Sequence, residues 1–421
     1  MIRDRQLSGC SGLLLVRLAL GFVCATLAVL VAASYGFVSY AAEEAIAGFL
    51  MINDAHVHEG CNFRDMFNMT RAMWLPGCGA IGFRTPAAIL RCSGDCYSRS
   101  FLLEIEDFNR RHPGELVQYS SRHRSGHADV MLVGWLAPAP ANATEAPIIV
   151  LQHGFAENSN MHRQIIATYL LRKLGFTVLV NNLRDHCYSQ NTSEHVYQWG
   201  DAYPYDVLGA WDYAHHDPDG KLGGPRPKEL IGLMGFSMGG FSSLNAMGLE
   251  EEVQAAWVDS PVHTVEGTMH HFLKMGLEEM GLPNFVAAPV ATVFTPQIWR
   301  RLQAAAEEHD VDLARHEPEK VLPLGPPTRR PLKWVGNRYD TTIVPAAGRR
   351  LLKFLENYRD LYNVSAYEFE SICNGENHCA NHIHQPELYS RMMCEFWSSA
   401  MTLQPDFCIT KFNSTPLLIQ A

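Results

Sequence analysis

The stretch Leu230-Ile231-Gly232-Leu233-Met234-Gly235-Phe236-Ser237-Met238-Gly239 decides how this chain is read. An apolar run leads into a serine with a glycine two positions to either side, and helix-prone Phe241 to Gly248 follows. That order describes a strand, a sharp turn and a helix, with the hydroxyl lifted out at the C-terminal edge of a sheet. Glycine at 235 and 239 has a steric reason. At such an elbow strand and helix pass so close that a Cβ two residues from the serine would collide with the other element. The competing reading is a glycine-rich turn, because G-x-S-x-G recurs by chance, so its partners must decide.

Working outward, the chain alternates between short apolar runs and helical patterns. Leu116 to Ser120 and Val130 to Leu136 read as a β-hairpin. Ile148 to Gln152, Thr177 to Asn181, Leu230 to Met234, Val253 to Val258, Leu332 to Val335 and Ala366 to Glu370 read as buried strands. Met161 to Leu174, Asp206 to His215 and Phe241 to Gly248 read as helices between them. Continuous apolar strands separated by helices imply an α/β fold, a mostly parallel twisted sheet with helices on both faces. Sites in such sheets form at the C-terminal strand ends. Residues 263–326 interrupt the alternation with helical texture. Pro283, Pro289 and Pro296 are expected to break this insertion into short helices forming a small cap.

A serine hydroxyl is nearly inert at neutral pH, so acyl transfer needs a base within hydrogen-bond reach and an acid that orients the base. Asp340 lies just past the strand ending at Val335, and His378 lies just past the strand ending at Glu370. Both follow Ser237 in the order serine, acid, histidine. Asp259 also follows a strand and competes as the acid, while His382 and His384 compete with His378 within one loop.

With these residues in place, the chain from about Glu115 to Ser399 resembles the α/β-hydrolase superfamily of serine hydrolases. It is similar to the branch of membrane-anchored esterase-like and serine aminopeptidase-like members. The resemblance rests on Leu151-Gln-His153-Gly154-Phe155, Asn182-Leu-Arg184-Asp185-His186-Cys187-Tyr-Ser189, Asp206 to Tyr213, Gly235 to Gly240, Asp259-Ser-Pro261, the loop Asp340 to Pro345 and the histidine loop followed by Pro386-Glu-Leu-Tyr389. Asp185 and Cys187 stand where relatives usually carry glycine, which puts that loop's conformation in question. The resemblance implies that Ser237 attacks an acyl carbonyl, His378 moves the proton, and Asp340 orients the imidazole. Backbone N–H groups of Phe155 and Met238 would form the oxyanion hole. The expected reaction is cleavage of an ester or thioester through an acyl-enzyme, with no cofactor or metal and a small or lipid-like acyl substrate. A serine exopeptidase is the alternative enzyme, and an inactive binding module on the same fold is the alternative outside catalysis.

The 421 residues carry a net charge of −10 and 47% hydrophobic composition, which gives room for one large α/β domain plus an appendage and no basic surface for nucleic acid. Arg3, Arg5 and Arg17 precede an uncharged apolar stretch, residues 18–42, followed by Glu43 and Glu44. This pattern predicts a membrane-spanning signal anchor with residues 1–17 cytoplasmic and the body outside, or a secreted protein if Ser39-Tyr40-Ala41 marks a cleavage site. Residues 43–112 read as a Cys-containing juxtamembrane segment, 113–400 as the hydrolase domain and 401–421 as a tail. Eleven cysteines suggest disulfides, with Cys187 alone between two even clusters and Cys373 and Cys379 placed to bracket the histidine loop. Asn-x-Ser/Thr sequons at Asn68, Asn142, Asn191, Asn363 and Asn413 agree with export. Asp54-Ala-His56-Val-His58 has ligand-like spacing, as do His378, His382 and His384, but the strands such a metal barrel would need already belong to the hydrolase pattern. The pairs His215-His216 and His270-His271 read as solvated helix faces.

Overall fold

The structure is a computed structural model that describes residues 34–58, 61, 99–124, 129–141, 143–370, 377–404 and 407. Among the described residues, eight strands form one sheet in the order β1-β2-β4-β3-β5-β6-β7-β8. They are β1 (Glu115–Ser120), β2 (Met131–Ala137), β3 (Ile148–Gln152), β4 (Thr177–Asn181), β5 (Ile231–Phe236), β6 (Ala256–Asp259), β7 (Arg330–Asn337) and β8 (Tyr362–Phe369). β1, β2 and β4 pair antiparallel, and every pairing from β4 across to β8 is parallel. Strands β3, β4 and β5 are buried along their whole length, which is why they read as unbroken apolar runs.

The helices, in chain order, are α1 (residues 34–45, ending in a π-helical turn Ile46–Leu50), α2 (Arg99–Arg111), α3 (His162–Lys173), α4 (Tyr203–His216), α5 (Met238–Leu249), α6 (Val265–Glu279), α7 (Asn284–Glu307), α8 (Pro345–Leu355) and α9 (Pro386–Ala400). Successive residues of β3 supply opposite cores. Ile148 and Val150 pack with Val207, Trp211 and Leu244, whereas Ile149 and Leu151 pack with Ile166, Leu170 and Trp397. The mostly parallel sheet covered on both faces is therefore as the sequence pattern predicts.

The insertion after β6 differs from expectation. Pro289 and Pro296 lie inside α7, a continuous helix of 24 residues, and only Pro283 marks its start. Both internal prolines and the residues whose carbonyls they leave without N–H donors, Phe285 and Thr292, are solvent-exposed, on a side of the helix where water can replace the missing donors. α6 and α7 pack as a pair of long helices.

The expected membrane-spanning helix and the type II topology drawn from it are overturned. Among the described residues no helix is long and apolar enough to cross a membrane. Residues 34–42 belong to α1, whose Val38 and Ala42 are buried in the core. Phe37 of α1 meets Phe294 edge-on at 5.1 Å, and Ser39 Oγ accepts from Arg301 at 2.9 Å, so α1 is committed to α7. Residues 18–33 and 401–421, except 401–404 and 407, lie outside the described residues, as do Asn68, Asn142 and Asn413. Asn191 and Asn363 are exposed.

Two cysteine expectations also change. Cys187 pairs with Cys61, and Cys379 is a buried free thiol, so no disulfide closes the histidine loop at Cys379. Cys394 is disulfide-bonded as well, while Cys78, Cys92, Cys96, Cys373 and Cys408 lie outside the described residues. Asp54 to Val57 is a short helix instead of a strand, and Asp54 pairs with His195 Nε2 at 2.9 Å. Asp185 (φ 63°) and Cys187 (φ 52°) both hold the left-handed backbone that glycine would otherwise supply. The loop keeps this shape because Asp185 Oδ2 accepts from Thr192 Oγ1 at 2.9 Å and Cys187 is cross-linked.

Buried Arg330 at the start of β7 closes the turn after α5. Its Nη1 donates to the carbonyls of Met247, Glu250 and Val253 at 2.8, 2.8 and 3.0 Å. Replacing it with methionine leaves those carbonyls without donors, so Arg330→Met is expected to lower stability by about 3 kcal/mol. Urea denaturation checks this, and a midpoint equal to that of the wild type contradicts the anchoring role.

Candidate active site

Ser237 sits between β5 and α5 with φ 52° and ψ −116°, a conformation rarely adopted by a residue with a side chain. Two glycines make it feasible. A Cβ at Gly235 would lie 2.3 Å from Gly239 O, and a Cβ at Gly239 would lie 2.4 Å from His153 O. The second glycine is thus demanded by the end of β3, not by β5 as the elbow argument alone supposes. The serine is nearly covered, at 7% exposure.

Opposite the elbow, the loop after β3 brings Gly154 within reach, since a Cβ there would stand 3.6 Å from Ser237 Cβ. His153 is buried and holds the loop from both ring nitrogens: Nδ1 pairs with Gly154 O at 2.8 Å and Nε2 accepts from Leu183 N at 3.3 Å. Burial pushes its imidazole below the ordinary histidine range. Glu157 Oε2 accepts the Gly154 N–H at 3.0 Å. Burial alone would raise that carboxyl, but Arg163, His162, Gln164 and the Gly154 N–H together hold it below its ordinary value. The Gly154 N–H is thereby engaged by Glu157, and Phe155 and Met238 directly follow Gly154 and Ser237 in the two segments that meet here. Sequence reasoning missed Glu157, although its spacing three residues after Gly154 is visible.

The acid loop and the histidine meet. His378 Nδ1 lies 2.8 Å from Asp340 Oδ2, while Asp340 Oδ1 accepts from Thr342 N and Ile343 N, both at 2.9 Å. Nearly buried Asp340 is thereby matched on both oxygens by hydrogen-bond donors. The Ser237 hydroxyl is not hydrogen-bonded to the imidazole in this structure; His378 Nε2 instead lies 3.5 Å from Cys379 Sγ. Catalytic hydrogen bonds are often long without substrate and tighten when one binds. The Cys379 thiol donates to Asp259 O at 3.4 Å, and burial, reinforced by Asp259, pushes it well above its ordinary value.

The rival residues face elsewhere. His382 is buried beside Phe236, its Nε2 lies 3.1 Å from Arg163 O, and burial lowers it to about 3. His384 is half-buried at the end of the same short helix, Asn381–His384. Asp259 accepts from Tyr389 Oη at 3.0 Å and from Asn381 Nδ2 at 3.2 Å, not from His378. Asn381 Oδ1 in turn accepts from Asn337 Nδ2 at 3.0 Å, which links the ends of β6 and β7 to the segment after His378. His215 and His216 are tied to the Arg226 and Asp212 carbonyls, and His271 Nε2 reaches Thr341 O at 2.7 Å, joining α6 to the acid loop. A cavity of about 340 Å³ lined by Arg184, Gln190, Thr192, Gln198 and His309 does not include Ser237, Asp340 or His378.

The family model described as alpha/beta hydrolase fold matches residues 147–349. No curated protein matches the chain by sequence. Among solved structures, an esterase from Pyrococcus furiosus is similar with a TM-score of 0.50 and 16% identity, covering 69% of this chain and 92% of its own. A puromycin-hydrolyzing peptidase from Mycobacterium tuberculosis is similar with a TM-score of 0.48 and 15% identity, covering 70% of this chain and 40% of its own. At these identities the likeness concerns the fold.

Burial, ahead of the opposing hydrogen bond from Tyr389, raises the Asp259 carboxyl from 3.8 to about 7. A folded-state pKa above the unfolded value gives a contribution fully present at low pH that is lost as pH rises through about 7. Asp259→Asn imitates the protonated form and escapes that loss. Its Tm relative to the wild type is therefore expected to rise between pH 4 and pH 8. A difference in Tm that stays flat over this range contradicts the assignment.

Proposed function

Because this chain belongs to the α/β-hydrolase superfamily, we propose that it is a serine hydrolase cleaving carboxylic ester or thioester bonds through an acyl-enzyme on Ser237. The observation that carries the reading is the His378 Nδ1 to Asp340 Oδ2 contact of 2.8 Å at the strand ends adjoining a serine in the left-handed elbow. An imidazole bonded in this way carries its remaining lone pair on Nε2, the tautomer a general base requires.

In the proposed sequence, Ser237 Oγ adds to the acyl carbonyl as His378 Nε2 takes its proton. Asp340, held by Thr342 N and Ile343 N, stabilises the imidazolium. The carbonyl oxygen becomes an oxyanion facing the Phe155 and Met238 N–H groups; such donors supply roughly 3 kcal/mol each. Collapse expels the alcohol or thiol, which receives the proton from His378. Water then attacks the acyl-serine by the same steps, releasing the acid and restoring the hydroxyl. The half-buried ring of Phe155, stacked on Trp199 beside the oxyanion loop, suits an apolar acyl group.

A fluorophosphonate probe should label the wild type and fail to label Ser237→Ala. Hydrolysis of p-nitrophenyl esters should fall about 10⁴-fold or more in Ser237→Ala and in His378→Ala, with the double variant little worse than either, because residues acting as a unit are non-additive. Labelling that persists in Ser237→Ala overturns the nucleophile. Ester hydrolysis undiminished in His378→Ala overturns the base.

A further inference from the structure

The segment from the π-helical end of α1 to Cys61 lies outside the region matched to the family and packs beside Phe155. It is pinned to the loops after β3 and β4. Trp199 Nε1 donates to Phe49 O at 2.9 Å, Tyr197 N to Leu50 O at 2.7 Å, Cys187 N to Val57 O at 3.2 Å and Asn158 Nδ2 to Val57 O at 3.1 Å. Met51 and Val196 form an antiparallel bridge, and the Cys61–Cys187 disulfide closes the far end.

These attachments fix the backbone of Phe49 without burying its ring. The half-buried ring lies 6.2 Å from Phe155, 6.2 Å from Trp199 and 5.5 Å edge-on from Phe272 of α6. Phe155 directly follows Gly154, the residue opposite Ser237, and stacks on Trp199 at 5.3 Å. Trp199 in turn meets Phe241, whose N–H bonds to the Ser237 carbonyl. Phe49 therefore bridges the oxyanion loop and the helical insertion, with Phe155 and Phe272 half-buried beside it. Three aromatic rings that keep part of their surface open next to a covered nucleophile gain most when an apolar group covers them.

We propose that Phe49 is a specificity-determining residue and that Phe49, Phe155 and Phe272 form the wall of a subsite for a bulky apolar acyl group, aryl or medium-chain alkyl. This rests on the serine hydrolase reading. The disulfide-closed segment brings to the site a side chain that the hydrolase core itself lacks.

The test compares kcat/KM on p-nitrophenyl acetate, octanoate and phenylacetate for the full-length wild type, Phe49→Ala, Phe49→Leu and Phe272→Ala. A wild-type preference for octanoate or phenylacetate over acetate is expected to shrink about tenfold in Phe49→Ala, the scale of losing apolar contact in a substrate pocket. Phe49→Leu should keep more of the octanoate preference than of the phenylacetate preference if the natural group is aryl, and should keep both if it is alkyl. A purely structural role would lower all three substrates by one factor, and that outcome overturns the proposal. If Phe49→Ala gives no cooperative melt, Phe49→Leu and Phe272→Ala decide, and selectivity unchanged in both overturns it. A wild type that hydrolyses none of the esters and takes no fluorophosphonate at Ser237 overturns instead the reading on which the proposal rests.

Discussion

The close approach of three backbones around Ser237 is the constraint on which the site depends. The end of β3, the end of β5 and the first turn of α5 come so near that residues 235 and 239 have no room for a Cβ. The serine must then take a left-handed conformation, and its N–H is directed to Asp259 O at 2.9 Å. The same kind of tie repeats across the sheet: Ser260 N donates to Val335 O and Arg338 N to Phe369 O, both at 2.8 Å. Each bond fixes where one chain segment leaves the C-terminal edge relative to the next. Ser237, Asp340 and His378 follow β5, β7 and β8, so the strand ends bring all three to one edge of the sheet. Strain of roughly 1–3 kcal/mol at the serine persists because the neighbouring strands leave it no alternative.

Two carboxylates lie near His378, and their surroundings separate their roles. Asp340 receives two backbone N–H bonds on one oxygen and the imidazole on the other. Asp259 is fully buried, bonded to the side chains of Tyr389 and Asn381, and raised to about 7. A carboxyl that loses its charge near neutrality stabilises an imidazolium poorly. The chain from Asp259 through Asn381 to Asn337 holds the loops around the histidine in place of contacting it.

The sheet and the Ser, Asp, His order were legible because each depends on local pattern: apolar runs at β3, β4 and β5, and one chemically distinctive residue after each strand. Features set by tertiary partners were not. Proline spacing alone suggested broken helices at 289 and 296, since only the fold reveals that both face water. The apolar content of residues 34–42 matched a membrane span because core burial and lipid burial demand the same composition; Phe294 and Arg301 decide between them. Cys61 and Cys187 are separated by 126 positions, a pairing no spacing rule could select.

That distant pairing also explains the departure at Asp185 and Cys187. A non-glycine residue in left-handed geometry costs about 1 kcal/mol, so replacing two glycines is unfavourable unless the side chains contribute something. Asp185 accepts from the backbone N–H and the hydroxyl of Thr192, and Cys187 closes a loop long enough to restrict the unfolded chain by about 5 kcal/mol. Both contributions act on the loop that carries Tyr197 and Trp199. The residues that break the glycine pattern are thus the ones that fasten the segment bearing Phe49 against Phe155 and Trp199, and the loss of backbone freedom at 185 and 187 is coupled to the placement of an aromatic ring more than a hundred positions earlier.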